Sequence, residues 1–402
     1  RASARSSDEG LQTLDFCGKS AIFPSALFLH IFMNVLIAPD KFKGSLTSFE
    51  ACSAIASGIK TIDPAAGTFE FPMADGGDGF AAVMKYYMHT STVACPTEDP
   101  LGRPLAVSLE LKGDTAIIEL ASASGLVLLQ EKERDPLKTS TYGTGRMIQA
   151  AIDAGAREII LGLGGSATND AGTGILAALG FQFHDKDGRP VKACGGNLRH
   201  IHTITAPALL PEIKFTIACD VQNVLYGPEG AAHVYAPQKG ATPEDVTLLD
   251  NGLEHFAKLL KKNVADIPGA GAAGGIAAGL MGFFDVRLEK GVQLVIDSSG
   301  IMDKLPHADL VITGEGKIDR QTEYGKVVSE IALAAALHHI PVIAFCGISE
   351  TGDGTPLHLN AIRTIAPQGM PPEESMARAK GLLEAAAAAY FKSSYKDGRI
   401  TP

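Results

Sequence analysis

From Met33 onward the chain alternates short apolar runs with longer amphipathic ones, and this alternation restricts the fold more than any other feature. "NVLIAP" (34–39) has the length and apolar character of a buried strand, and "TSFEACSAIASGIK" (47–60) has helical spacing, with Thr47 and Glu50 placed as a capping box. The pattern returns late, in the strand "ADLVITGEGKID", the helix "KVVSEIALAAALHH", the strands "PVIAFCG" and "AIRTIAP", and the helix "EESMARAKGLLEAAAAAYF". Such crossovers build a parallel sheet with helices on both faces. The middle is different. "RPLAVSLELKGDTAIIELA" and "FQFHDKDGRPV" read as antiparallel hairpins, whereas "GTGRMIQAAIDAGAREIILG" reads as helix then strand. The expectation is therefore a doubly wound α/β domain formed by residues 33–75 plus 291–402, interrupted by a mixed α/β domain over 76–290. Two crossings between the domains would create a cleft.

Residues 1–32 fit neither domain. "SAIFPSALFLHIF" imitates a signal-peptide apolar region, but Asp8, Glu9 and Asp15 precede it, no convincing cleavage site follows, and Pro24, His30 and Asn34 spoil a membrane span. They are read as an upstream extension without a functional part. Over 402 residues, 46% hydrophobic content supplies enough apolar surface for two domains, and a net charge of −10 argues against a nucleic-acid backbone binder. The six cysteines contain no C-x-x-C pair, so neither zinc nor a disulfide framework is signalled, and a reducing cytoplasmic setting is expected.

Any anion must then be held at a local site, and "GLGGSATNDAGTG" (162–174) is the leading candidate. Glycines let backbone N–H groups approach an anion, and the following helix adds the positive end of its dipole. Gly164, Gly165, Ser166, Thr168 and Asn169 would seat phosphates. The run also satisfies a relaxed dinucleotide fingerprint, with Asp185 near the ribose-binding distance, so an NAD-dependent dehydrogenase and a non-catalytic nucleotide sensor stand as alternatives. A Walker A loop is absent. Four further loops follow apparent strands: "DKFKGS" with Asp40, Lys41, Lys43 and Ser45; "ADGGDG" with Asp75 and Asp78; "ACDV" with Asp220; and "GEGKID" with Glu315, Lys317 and Asp319. Phosphoryl transfer needs this inventory of phosphate donors, metal-holding carboxylates, a cation and an acid to take the hydroxyl proton. Hydride transfer needs no such set of acids.

"IAPDKFKGSL", "ADGGDG", "GLGGSATNDAGTG", "ACDV", "APQKGA", "PGAGAAGG" and "ITGEGKID" occur in the order found in bacterial glycerate kinases, the type that includes the glycolate-pathway and glucarate-pathway enzymes, and the chain resembles that family from Met33 to its end. The resemblance implies ATP-dependent phosphorylation of D-glycerate on a flavodoxin-like domain joined to a second α/β domain. No membrane or nucleic-acid partner is expected, and a homo-oligomer is left open. With the residues above, it implies Asp75 and Asp78 as Mg²⁺ ligands, Glu315 and Lys317 beside the nucleotide, Asp40 and Ser45 beside the substrate, and Lys43 as the cation facing the moving phosphoryl group. Lys43 is preferred to Lys41 because the family often has Ser at the latter position. Asp220 leads as general base, with Asp170 and Asp319 as rivals. Transfer to O2 is favoured over O3.

Overall fold

The structure is a computed structural model that describes residues 33–323, 325–350, 358–396 and 399–400; the amino-terminal extension lies outside the described residues. In chain order the strands are β1 (Asn34–Pro39), β2 (Gly67–Glu70), β3 (Ser91–Glu98), β4 (Pro104–Lys112), β5 (Thr115–Glu119), β6 (Glu158–Gly162), β7 (Gln182–His184), β8 (Thr203–Thr205), β9 (Lys214–Ala218), β10 (Asp285–Glu289), β11 (Leu310–Ile318), β12 (Val342–Ser349) and β13 (Ala361–Thr364), followed by a short pair, β14 (Tyr395–Lys396) and β15 (Arg399–Ile400). The first sheet runs β2-β1-β11-β12-β13 with every pair parallel. Counted within the sheet this is the flavodoxin-like order 2-1-3-4-5. Val35, Leu36, Ile37 and Ala38 of β1 are wholly buried, as a central strand with helices on both faces must be. The helix Ser48–Ile62 begins on the Thr47–Glu50 capping box and packs against Ala379–Ser394. Gly58 permits that contact, because a Cβ there would lie 2.3 Å from the Glu384 carbonyl oxygen.

The second sheet runs β10-β9-β6-β5-β4-β3 and is mixed. β5, β6, β9 and β10 are mutually parallel, while β3, β4 and β5 form antiparallel hairpins. The β4–β5 connection is a two-residue turn in which Gly113 takes a positive φ of 60°. β7 and β8 pair separately. One buried cluster draws on both sheets: Leu36, Ala38 and Val311 from the first meet Ile117, Ile160 and Ala218 from the second, through Phe80, Val83, Val292 and Val295. The helices Phe80–Met88 and Gly291–Ser299, which carry the last four residues, thus fill the space between the sheets. No helix among the described residues is long and apolar enough to cross a membrane.

Candidate active site

β1 and β11 are neighbours whose connections leave in opposite directions, β1 toward β2 and β11 toward β12, so a crevice opens beyond their carboxyl ends. Charged residues occupy it. Asp40, directly after β1, is 5% exposed and accepts the Lys41 amide at 2.7 Å. Lys41 Nζ lies 3.7 Å from Asp40 Oδ1 and 3.2 Å from Asp75 Oδ1. On β11, Glu315 accepts from Thr322 Oγ1 at 2.8 Å and lies 3.5 Å from Lys326 Nζ.

Asp75 opens the turn that joins this crevice to the second sheet. The turn docks across three parallel neighbours, β5, β6 and β9, at their carboxyl ends. Gly79 N donates to Glu119, which ends β5, at 3.2 Å; a Cβ on Gly162, at the end of β6, would sit 2.8 Å from Gly76 O; one on Gly76 would sit 2.9 Å from Ala218 Cβ, at the end of β9. Gly164 fits for the same reason, its absent Cβ only 2.2 Å from Gly77 Cα. The return crossing touches the turn too. A Cβ on Gly291 would lie 2.5 Å from the Asp75 carbonyl carbon, and Gly291 N donates to Asp220 Oδ1 at 2.9 Å.

Carboxylates outnumber cations in this cluster, and their protonation shows it. Burial and the Asp75 charge push Asp40 up to about 8 and Asp220 up to about 7. Glu315 and Glu119 are raised by burial as well. Burial acts against charge on Asp75 also, but Lys41 outweighs it and holds this carboxyl below its usual range. Burial likewise opposes charge on Lys41, and Asp40 and Asp75 overcome it, holding the ammonium well above its ordinary value.

A stability prediction follows from these signs. Unfolded carboxyls bind protons only below about pH 4, whereas Asp40 and Asp220 keep them to about 8 and 7 in the fold. The folded state therefore holds more protons between those limits, and stability falls as pH rises. The melting temperature should decline from about pH 5 to pH 7 without divalent metal, with a shallower slope in Asp220→Asn. Equal slopes in the two proteins would show that Asp220 is not held protonated.

Other residues singled out in the sequence are spread more widely. Lys43 has an exposed side chain, while Lys41, passed over in the sequence, occupies the carboxylate cluster. Both line a cavity of about 350 Å³ together with Asp40, Ser45 and Asp78. Ser45 Oγ donates to Phe42 O at 2.9 Å, closing the loop after β1. Gly165 is exposed at a φ of +72°, beside Asp78. Ser166 is 9% exposed, and Thr168 and Asn169 lie wholly buried beneath the loop.

Asp170 is a correction. Its Oδ2 accepts from Thr141 N at 2.8 Å, Thr141 Oγ1 at 2.9 Å and Gly174 N at 3.2 Å, and its Oδ1 from Gly172 N at 3.1 Å. Fully buried and saturated, it ties the start of the helix Tyr142–Asp153 to that of Thr173–Ala178 and is not available as a base. Lys317 lies outside the carboxylate cluster, its exposed ammonium pairing with Glu350 at 2.9 Å and Asp319 at 3.4 Å. Asp185 accepts from the amides of Asp187 at 2.8 Å and Arg189 at 2.9 Å in an exposed turn, which removes the ribose role from the dehydrogenase alternative. Sequence reasoning assigned no role to Glu119, Lys326 or Lys239. The first was detectable as one more acid ending an apolar run; the other two carried no such signal. A larger depression, about 440 Å³, lies between Asp185 and His255 and shares no residue with the cluster. The carboxylate cluster borders the smaller cavity through Asp40 and Lys41.

The sequence profile of the glycerate kinase family matches residues 35–394. The chain belongs to the glycerate kinase family. It is 42% identical to a glycerate kinase of Halalkalibacterium halodurans over 88% of this chain and 96% of that protein. To the glycerate 2-kinase of Escherichia coli K12 it is 40% identical, over 83% of this chain and 90% of the relative. The crystal structure of a protein named as a glycerate kinase 2 from Salmonella typhimurium LT2 superimposes with a TM-score of 0.77 at 38% identity, covering 90% of this chain and 98% of that one. Family membership makes the chain a kinase with an alcohol acceptor and ATP as phosphate donor.

Proposed function

We propose that the chain transfers the γ-phosphoryl group of ATP to the 2-hydroxyl of D-glycerate, in the crevice between Lys41 and Asp220. The observation that carries this reading is the convergence of Asp40, Lys41, Asp75 and Asp220 on one glycine turn that also abuts the Gly164 loop. In the reaction the O2–phosphorus bond forms as the bond from phosphorus to the β,γ-bridging oxygen breaks, and the hydroxyl proton passes to a base. Asp220 suits that role, since a carboxyl lifted to about 7 accepts a proton near neutral pH. Lys41 offsets charge on the phosphoryl oxygens, and the loop at Gly165 and Ser166 seats the remaining phosphates.

Mg²⁺ fits the donor set. Every candidate ligand is a hard oxygen, the Asp78 carboxylate takes no hydrogen bond from the described residues, and Asp75 Oδ2 is likewise unengaged. Among the described residues no three His, Cys, Asp or Glu side chains form a ready metal cage, which suits an ion held by one or two carboxylates plus phosphate and water. Asp75 and Asp78 would hold it, and when bound it neutralises phosphate charge. We divide the chain as the sequence suggested, 33–75 plus 291–402 against 76–290, so that both crossings lie at the site. The preference for O2 rests on the names of the Escherichia coli and Salmonella relatives.

Phosphorus NMR of the product from ATP and D-glycerate tests the regiochemistry: 2-phosphoglycerate is expected, and 3-phosphoglycerate overturns the preference. Asp220→Asn should lower kcat by about 10²–10⁴ while ATP affinity changes little. In the unsubstituted protein kcat/KM should rise with pH through about 7, as Asp220 loses its proton. Wild-type turnover in the variant would remove Asp220 from the chemistry.

A further inference from the structure

Lys239 is 2% exposed, although lysine is among the residues least often buried. It ends the short 3₁₀ turn Pro237–Lys239, and Gly240, at a φ of +98°, packs against Arg134 so closely that a Cβ would lie 2.2 Å from its carbonyl oxygen. That packing turns the lysine inward, beneath the glycine loop. Its Nζ donates to Ser166 Oγ at 2.8 Å and to Thr168 O at 2.6 Å. Both partners are neutral. Burial pulls the ammonium down to about 7, and the carboxylate that acts against this, Asp170, is already held by four donors from the protein.

The direction of the Ser166 bond decides its chemistry. An ammonium can only donate, so Ser166 Oγ accepts, and its own proton is left to donate elsewhere. Thr168 Oγ1 and both amide atoms of Asn169 are buried without a partner in the same segment. Native interiors rarely leave such groups unpaired unless a ligand, an ion or ordered water meets them. On the far side Ala273, Gly274 and Gly275 all adopt positive φ, and a Cβ on Gly274 would lie 2.3 Å from Thr168 O. The loop is thus clamped between this left-handed run and Lys239.

We propose that Lys239 is a positioning residue for the nucleotide: it fixes the loop through Thr168 O and orients Ser166 to donate to a phosphate oxygen. This rests on the reading that the Gly164–Asn169 loop seats the phosphates of ATP. Lys239 itself touches no reacting atom.

The test is a double-mutant cycle on binding of a nonhydrolysable ATP analogue with Mg²⁺, followed by calorimetry, with circular dichroism and thermal melts confirming the fold. Ser166→Ala should weaken binding about tenfold and Lys239→Met at least as much. The double variant should bind about as weakly as Lys239→Met alone, because Ser166 is no longer oriented toward the phosphate once Lys239 is gone. KM for ATP should rise in each variant, with KM for glycerate within about twofold, a split that general loosening of the fold would not produce. Single effects that simply multiply overturn the proposal, as does wild-type affinity in a folded Lys239→Met. If Lys239→Met does not fold, Ser166→Ala decides alone, and wild-type affinity there is the overturning result. Gly165→Val separates the two readings. Unchanged binding in that variant removes the phosphate seat itself, whereas lost binding, with Ser166→Ala and Lys239→Met unaffected, removes only the role of Lys239.

Discussion

Lys41→Met should lose about 10³-fold or more in kcat/KM, with Lys43→Met losing little. Both lysines line the cavity after β1, but only Lys41 lies within ion-pair distance of Asp40 and Asp75. Removing its charge has two consequences. The phosphoryl oxygens lose a nearby cation, and the carboxylates lose the partner that keeps Asp75 ionised. Burial would then push Asp75 up as it does Asp40, and the cluster would hold more protons at neutral pH. Methionine keeps most of the volume of the lysine stem, so the fold should survive, and a thermal melt beside steady-state kinetics checks it. The reverse pattern, an inert Lys43→Met replaced by an inert Lys41→Met, would place the reacting phosphate farther along the loop, as the sequence alone suggested.

The choice between these lysines shows where the sequence was legible. Alternating apolar and amphipathic runs identified the parallel first sheet, since strand length and helix caps are local properties; the Thr47–Glu50 box appears as read. Loops after strands were also legible, because ligand-binding residues of an α/β sheet gather at one edge whatever their order in the chain. What the sequence could not supply was distance. Asp170 sits in a motif rich in polar groups and was weighed as a base, yet its carboxylate accepts from the amides of two helix starts, that of Thr141, 29 residues away in the chain, and those of Gly172 and Gly174, two and four residues away. Gly164 was read as approaching phosphate, and nothing local showed that its missing side chain also makes room for Gly77. Lys239 lay in "APQKGA" without any local sign that the turn at Gly240 would bury it. Pairings between loops so far apart in sequence leave no periodic trace.

Asp75→Asn should cost about 10²–10⁴ in kcat and should also move the pH profile, which makes it the most diagnostic substitution in the cluster. Asp75 links both sheets: Lys41 from the first donates to it, the glycines behind it dock on the second, and its charge helps raise Asp40 and Asp220. Asparagine keeps the shape and an acceptor for Gly77 N but abolishes that charge. Repulsion within the cluster then falls, Asp220 ionises at lower pH, and the ascending limb of kcat/KM shifts toward acid even as the maximum drops. Asp78→Asn separates charge repulsion from metal holding, because the carboxylate whose charge chiefly raises Asp220 is Asp75. It should lower activity at limiting Mg²⁺, recover in part as Mg²⁺ is raised, and leave the position of the limb unchanged. An Asp75→Asn enzyme whose limb stays near 7 would mean that burial alone raises Asp220 and that the two carboxylates act independently.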